Sequence, residues 1–186
     1  MRRRALAAGA AALLLCVAAG EARPVLRPTR DVDVTYALDT AGGPALRERL
    51  RWDMAAQKLR IDPPTAGLYV IIDFRTRLMS TVRAADRTVI ETPAPASATG
   101  VPDGAAAGAV REGDDVVAGL ACTDWAMKDA AGEPMTACLT PDGVLLRARL
   151  ATRTLLTATS VQYGPQDPAL YRVPADYQLR ALGGSR

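Results

Sequence analysis

The chain contains no histidine and no asparagine, and Lys58 and Lys128 are the only lysines among its 23 basic residues. Without histidine there is no Ser-His-Asp or Cys-His nucleophile pair. Zinc sites that use imidazole are excluded as well, and no side chain has an ordinary pKa near neutrality. Carboxylate or lysine chemistry stays open, but no motif supports it. Aromatic residues make up only 4%, with a single phenylalanine, which is little for a large greasy cavity. The three cysteines, Cys16, Cys122 and Cys138, include no Cys-x-x-Cys pair of the reactive kind. No apolar run reaches the roughly 20 residues needed to span a bilayer comfortably.

What is present begins with an export signal. Met1-Arg2-Arg3-Arg4 is basic, residues 5–19 are an unbroken run of Ala, Leu, Gly, Val and Cys16, and Gly20-Glu21-Ala22 offers small residues where a signal peptidase reads. Residues 1–22 are therefore expected to be a cleavable signal, cut after Ala22, that delivers the chain to the periplasm with no membrane span remaining. Cys16 lies inside the apolar run and leaves with it. Removing Arg2, Arg3, Arg4 and Glu21 reduces 23 basic and 20 acidic residues to 20 and 19, a net charge of +1 instead of +3. The remaining charges interleave. Nucleic-acid binding, which needs a concentrated basic face, is set aside.

Residues 23–30 read as an extended, proline-bounded leader, poorly ordered at its start. Residues 31–179 read as one β-rich domain. Val32, Val34, Tyr36 and Leu38 alternate with polar residues, as on a half-buried strand. Residues 46–60 admit either a helix, by propensity, or two strands turning at Ala55-Ala56-Gln57. Hairpin-like flanks favour the strands. The run from 68 to 74 is apolar on both faces, implying a strand covered on both sides. Two further strands follow across the turn Ala84-Ala85-Asp86-Arg87. Residues 93–108 are almost wholly Ala, Gly, Pro and small polar residues and read as a mobile loop. Asp114-Asp115 lacks the alternating oxygen ligands of a calcium loop and reads as a solvated turn. No metal or cofactor is expected.

From Asp114 to Tyr163, turn residues punctuate apolar, β-branched runs as in an antiparallel meander. A first hairpin turning about Ala130 sets Cys122 directly opposite Cys138, within disulfide reach. A lone cysteine pair in an exported domain is expected to be bonded. Closing that loop stabilises by about 3 kcal/mol in the chain-entropy model. Trp125, on a strand beside the pair, reads as core packing. Arg147, Arg149 and Arg153 read as the wet face opposite Val144, Leu146, Ala148 and Leu150. Residues 170–177 read as a terminal strand or irregular cap, and residues 180–186 as a frayed tail.

Three segments carry a family resemblance: Gly119-Leu120-Ala121-Cys122-Thr123-Asp124-Trp125, then Cys138-Leu139-Thr140-Pro141-Asp142-Gly143-Val144-Leu145, then Asp167-Pro168 through Tyr171, Val173-Pro174 and Tyr177. Together, over roughly residues 31–177, the chain resembles exported bacterial proteins of a domain of unknown function. These are in turn similar to the LolA/LolB-like lipoprotein-carrier superfamily. The resemblance implies a curved antiparallel sheet, an open half-barrel, here with a cysteine-clamped hairpin and few or no lid helices. It implies a concave face able to hold a lipid, an acyl chain or a partner's apolar segment. Leu50, Trp52, Met54, Tyr69, Ile71 and Met79 are the candidate lining residues, each of which could equally be ordinary core. The partners expected are a lipid or lipid-modified protein, or an envelope protein met by a regulatory or structural interaction domain. An enzyme is not expected.

Overall fold

The alternating segment at residues 32–38 becomes a strand in the middle of a single sheet. The computed structural model describes residues 23–95 and 103–180. The expected signal and its cleavage point, residues 96–102 of the Ala/Gly/Pro loop and residues 181–186 of the tail lie outside the described residues. Twelve strands follow in chain order: β1 (Val32–Leu38), β2 (Leu46–Asp53), β3 (Lys58–Asp62), β4 (Leu68–Asp73), β5 (Leu78–Arg83), β6 (Thr88–Pro93), β7 (Val110–Val117), β8 (Leu120–Lys128), β9 (Pro134–Leu139), β10 (Leu145–Leu150), β11 (Arg153–Tyr163) and β12 (Gln178–Arg180). Their order in space is β12-β6-β5-β4-β3-β2-β1-β11-β10-β9-β8-β7. One meander runs outward from β1 to β6. The chain then crosses to the far edge and returns from β7 to β11 beside β1. Among the described residues, only the β12–β6 pair is parallel. The sheet is not closed, an open half-barrel, and Cα atoms of β7 approach within 8 Å of β11, so that end rolls up strongly.

Turn chemistry explains the first meander. Its hairpins at residues 54–57, 74–77 and 84–87 have four-residue loops ending in a left-handed residue, Gln57 (φ 53°), Arg77 (φ 57°) or Arg87 (φ 52°). Asp53 accepts from the Ala56 amide and Asp73 from those of Arg75 and Thr76, which holds two of these turns. The two-strand reading of residues 46–60 is the correct one.

The alternation then buries one side. Val32, Val34 and Tyr36 pack with Leu50, Trp52, Leu59 and Ile72 in the larger apolar cluster, which also includes Cys122, Cys138 and Leu146. A second cluster gathers Trp125, Met127, Met135, Ala137, Leu139 and Leu145. Full burial of such side chains is worth roughly 1.5–3 kcal/mol each. Ile71 and Ile72 are both buried although they point to opposite faces, as the unbroken apolar run of β4 requires. The second cover is the C-terminal segment. A 3₁₀ turn at Pro168–Tyr171 is capped by Asp167, Arg60 donates to the Leu170 carbonyl, and β12 then adds to β6.

Three local expectations are corrected. Cys138 faces Asp124 across the β8–β9 ladder, not Cys122. The Asp129 carboxylate accepts from the amides of Ala131 and Glu133, drawing Glu133 into the turn and moving the register by two residues. The cysteines are therefore diagonal neighbours, bonded with their Cα atoms 5.4 Å apart. Asp114 and Asp115 lie on strand β7 instead of in a turn, because their backbones pair with Thr123 and Cys122 of β8. In the Ala/Gly/Pro loop, residues 103–108 form a 3₁₀ turn, and Ala105 packs on the second cluster.

The leader is extended and docked. Pro24 and Pro28 are buried, Leu26 packs on the second cluster, and the Thr29 amide donates to the Asp142 carbonyl at 3.0 Å.

Replacing both Cys122 and Cys138 by alanine is expected to lower the unfolding free energy by about 3 kcal/mol. Urea denaturation of the variant against the oxidised protein measures this. An unchanged midpoint would show that strand packing alone holds the hairpin.

Candidate functional site

The candidate lining residues divide between the two faces of the sheet. Val32, Trp52, Leu59, Ile72 and Met79 follow one another across β1 to β5, and Leu50 lies on the same face beside Val34. Leu50, Trp52, Met54 and Met79 thus meet on the face of the larger cluster, the first two buried and the others packed at its margin. Tyr69 and Ile71 alternate with Val70 and Ile72 and point the other way. The Arg60 guanidinium lies 3.8 Å from the Tyr69 ring centroid. Ile71 joins Lys58, Asp73, Leu78, Tyr171 and Val173 in a cleft of about 450 Å³ under the C-terminal segment. One concave site cannot contain all six.

The apolar face ends in an aromatic step. Trp52 and Phe74 stack with centroids 5.6 Å apart and ring planes 3° from parallel. The Arg27 guanidinium sits over Phe74 at 4.6 Å, a cation–π arrangement. Farther along, Arg30 covers Tyr163 at 3.7 Å and donates to Asp142 at 2.7 Å. Thr140 and Tyr163 also donate to that carboxylate. Partial burial alone would raise the Asp142 carboxyl, but the hydrogen bonds from Thr140, Arg30 and Tyr163 outweigh it and hold the group below its ordinary value. Tyr36 closes the other side: its hydroxyl donates to the Leu145 carbonyl at 2.7 Å, and burial pushes the phenol up.

Near the disulfide, Arg147 stands directly opposite Cys138 on β10, so the pair has a neighbouring cation that its spacing did not reveal. Arg147 is not a wet-face residue. It bonds Asp115 at 2.7 Å and Asp124 at 3.1 Å, and Arg149 reaches Asp124 at 3.3 Å. These carboxylates neutralise the cation beside the sulfurs. With Cys122 at 4% and Cys138 at 0% exposure, the bond is out of reach of a thiol and acts as a structural clamp. At the rolled edge, Gly104, Ala105, Val110, Ala126, Met127 and Lys128 help line an apolar cleft of about 460 Å³. Val110 and Val116 of edge strand β7 are 64% and 66% exposed.

Reading the sequence missed Leu26, Arg27 and the stacking of Phe74 as parts of this architecture. A weak signal existed in Pro24 and Pro28, whose fixed φ favours an extended run between them. Nothing local told where that run would lie.

This geometry defines a class by fold alone, an open and mostly antiparallel β half-barrel. Among solved structures, an uncharacterized conserved protein from Thermus thermophilus matches with a TM-score of 0.59 at 15% identity, over 82% of this chain and 90% of that one. MucB matches with a TM-score of 0.54 at 16% identity over 82% of this chain. The Pseudomonas aeruginosa MucA/MucB complex matches with a TM-score of 0.54 at 16% identity, over 81% of this chain and 58% of that one. The chain thus spans about 60% of the length of MucB. At these identities the likeness is one of fold. No family model and no curated protein matches the chain.

Arg147→Ala is expected to cost about 2 kcal/mol, because Asp124 loses its main cation in a partly buried site. Arg111→Ala, which breaks the exposed pair with Asp114, should leave stability nearly unchanged because solvent screens that pair. Parallel urea titrations test this contrast, and equal costs would contradict it.

The contribution of Asp142 should be present at neutral pH and disappear as pH falls below about 4, because its carboxyl is held low only in the folded state. Asp142→Asn is expected to destabilise the protein at pH 7 and to flatten the acid limb of its stability profile. Thermal unfolding between pH 7 and pH 3 measures both.

Proposed function

We propose that this protein is an exported, periplasmic binding module whose ligand is an extended segment of another envelope protein. The observation that carries the reading is that the apolar face is packed with side chains. Val32, Leu59 and Leu146 are fully buried, and Leu50 and Trp52 are 7% and 4% exposed. A filled face on an open sheet offers grooves and strand edges to a polypeptide more readily than a chamber to an acyl chain. The half-barrel fold shared with MucB, solved in complex with MucA, supports a protein partner. The buried disulfide and the amino-terminal signal pattern support the oxidising compartment. The reading is non-catalytic, in line with the missing histidine.

A lipid, acyl chain or lipid-modified partner is the second reading, favoured by the apolar cleft beside Val110 and Met127. Native mass spectrometry of the mature protein, purified from an oxidising periplasm and incubated with mixed envelope lipids, separates the two. An unadducted mass is the expected result. A saturable adduct of lipid mass would overturn the protein-segment reading in favour of the lipid one.

A further inference from the structure

Residues 24–30 do not lie beside the apolar face; they cross it. Leu26 packs on the cluster of Trp125, Met135 and Leu139. Its neighbour Arg27 reaches Phe74, which packs on the other cluster. The strip thus bridges the two halves of the core, with buried Pro24 and Pro28 on either side. The Pro141-Asp142-Gly143 turn is shaped to receive it. Gly143 has φ +86°, and a Cβ there would stand 2.1 Å from the Arg27 carbonyl oxygen and 2.8 Å from Val25 Cγ1. Only glycine fits, for both conformation and space. At the carboxyl end, Thr29 and Arg30 are fixed to Asp142 through the main-chain and side-chain hydrogen bonds.

We propose that this crossing is a peptide-binding groove, held in cis by residues 24–30, and that the partner enters it by replacing them with an extended, proline-flanked segment carrying an apolar residue followed by an arginine. The inference rests on the protein-segment reading above and gives that partner its chemistry. The chain's own strip is the template. Leucine fills the second cluster, arginine caps the aromatic step, a following cation meets Asp142, and proline restricts the free segment to the extended form it needs when bound. An intramolecular occupant also sets a threshold, since a free segment competes with one tethered at a high effective concentration.

Both tryptophans report on the groove, Trp52 through Phe74 and Trp125 through Leu26. The test titrates a synthetic peptide with the sequence of residues 23–30 into protein lacking residues 23–30 and into the intact mature protein, following tryptophan emission. The shortened protein should show a saturable change, and the intact protein a response at least tenfold weaker. A peptide with Leu26→Asp should bind the shortened protein at least tenfold more weakly than the parent peptide. If the shortened protein does not fold, Gly143→Ala is unsuitable because it blocks the groove; the full chain with Leu26→Asp then serves, with the strip unseated and the groove intact. No saturable binding to either folded protein, or equal binding to the intact chain, would overturn the groove. Saturable peptide binding together with a saturable lipid adduct in the native mass measurement above would leave the groove standing and overturn the protein-segment reading, so the two failures are distinguishable.

Discussion

The pairing of β1 with β11 joins segments more than a hundred residues apart in the chain, Val32 facing Tyr163 and Leu38 facing Leu156. Each meander on its own is a string of local hairpins with one apolar face and no cover. This single ladder joins them into one sheet. A bulge between Thr35 and Tyr36 accommodates the join, and the Tyr36 hydroxyl reaches across β11 to the Leu145 carbonyl. Such a contact carries a large loop-closure cost, which the apolar burial around Val32, Val34 and Ala158 offsets.

Once the two halves are joined, the open half-barrel needs closure on both faces, and the two chain ends supply it. The leader crosses the apolar face, with Gly143 making room. The C-terminal segment covers the other, placing Tyr171 over Ile71 and the arginine–aspartate ladder of β1 to β3, where Arg51 and Arg60 both bond Asp62. Among the described residues, irregular strips and not α-helices cover the two faces. The disulfide acts at a different level: it fixes the β8–β9 hairpin, whose rolled edge carries the apolar cleft and the exposed valines.

Much of the candidate site could be read in the chain, within limits that have a physical cause. The strand period placed Leu50, Trp52 and Met54 together correctly, since residues two apart in a strand share a face. It could not say that Met79 joins them while Tyr69 and Ile71 turn away, because that depends on the registers of three successive hairpins. The cation beside the disulfide was hidden for the same reason. Arg147 is nine residues from Cys138 in sequence and becomes its neighbour only through the β9–β10 ladder, in which Leu146 is bulged out.

The sequence by itself determined the alternating strands, most of the turn positions and the pairing of Cys122 with Cys138, which follow from local periodicity and backbone preference, while the half-barrel class came from the resemblance its segments carry. Only the tertiary structure decided the rest. The Asp129 carboxylate set the hairpin register, β12 added in parallel to β6, and the leader settled over Gly143 instead of trailing free. Each of these outcomes is a competition between distant groups for the same hydrogen bonds or the same apolar surface, and a local pattern does not encode which competitor prevails.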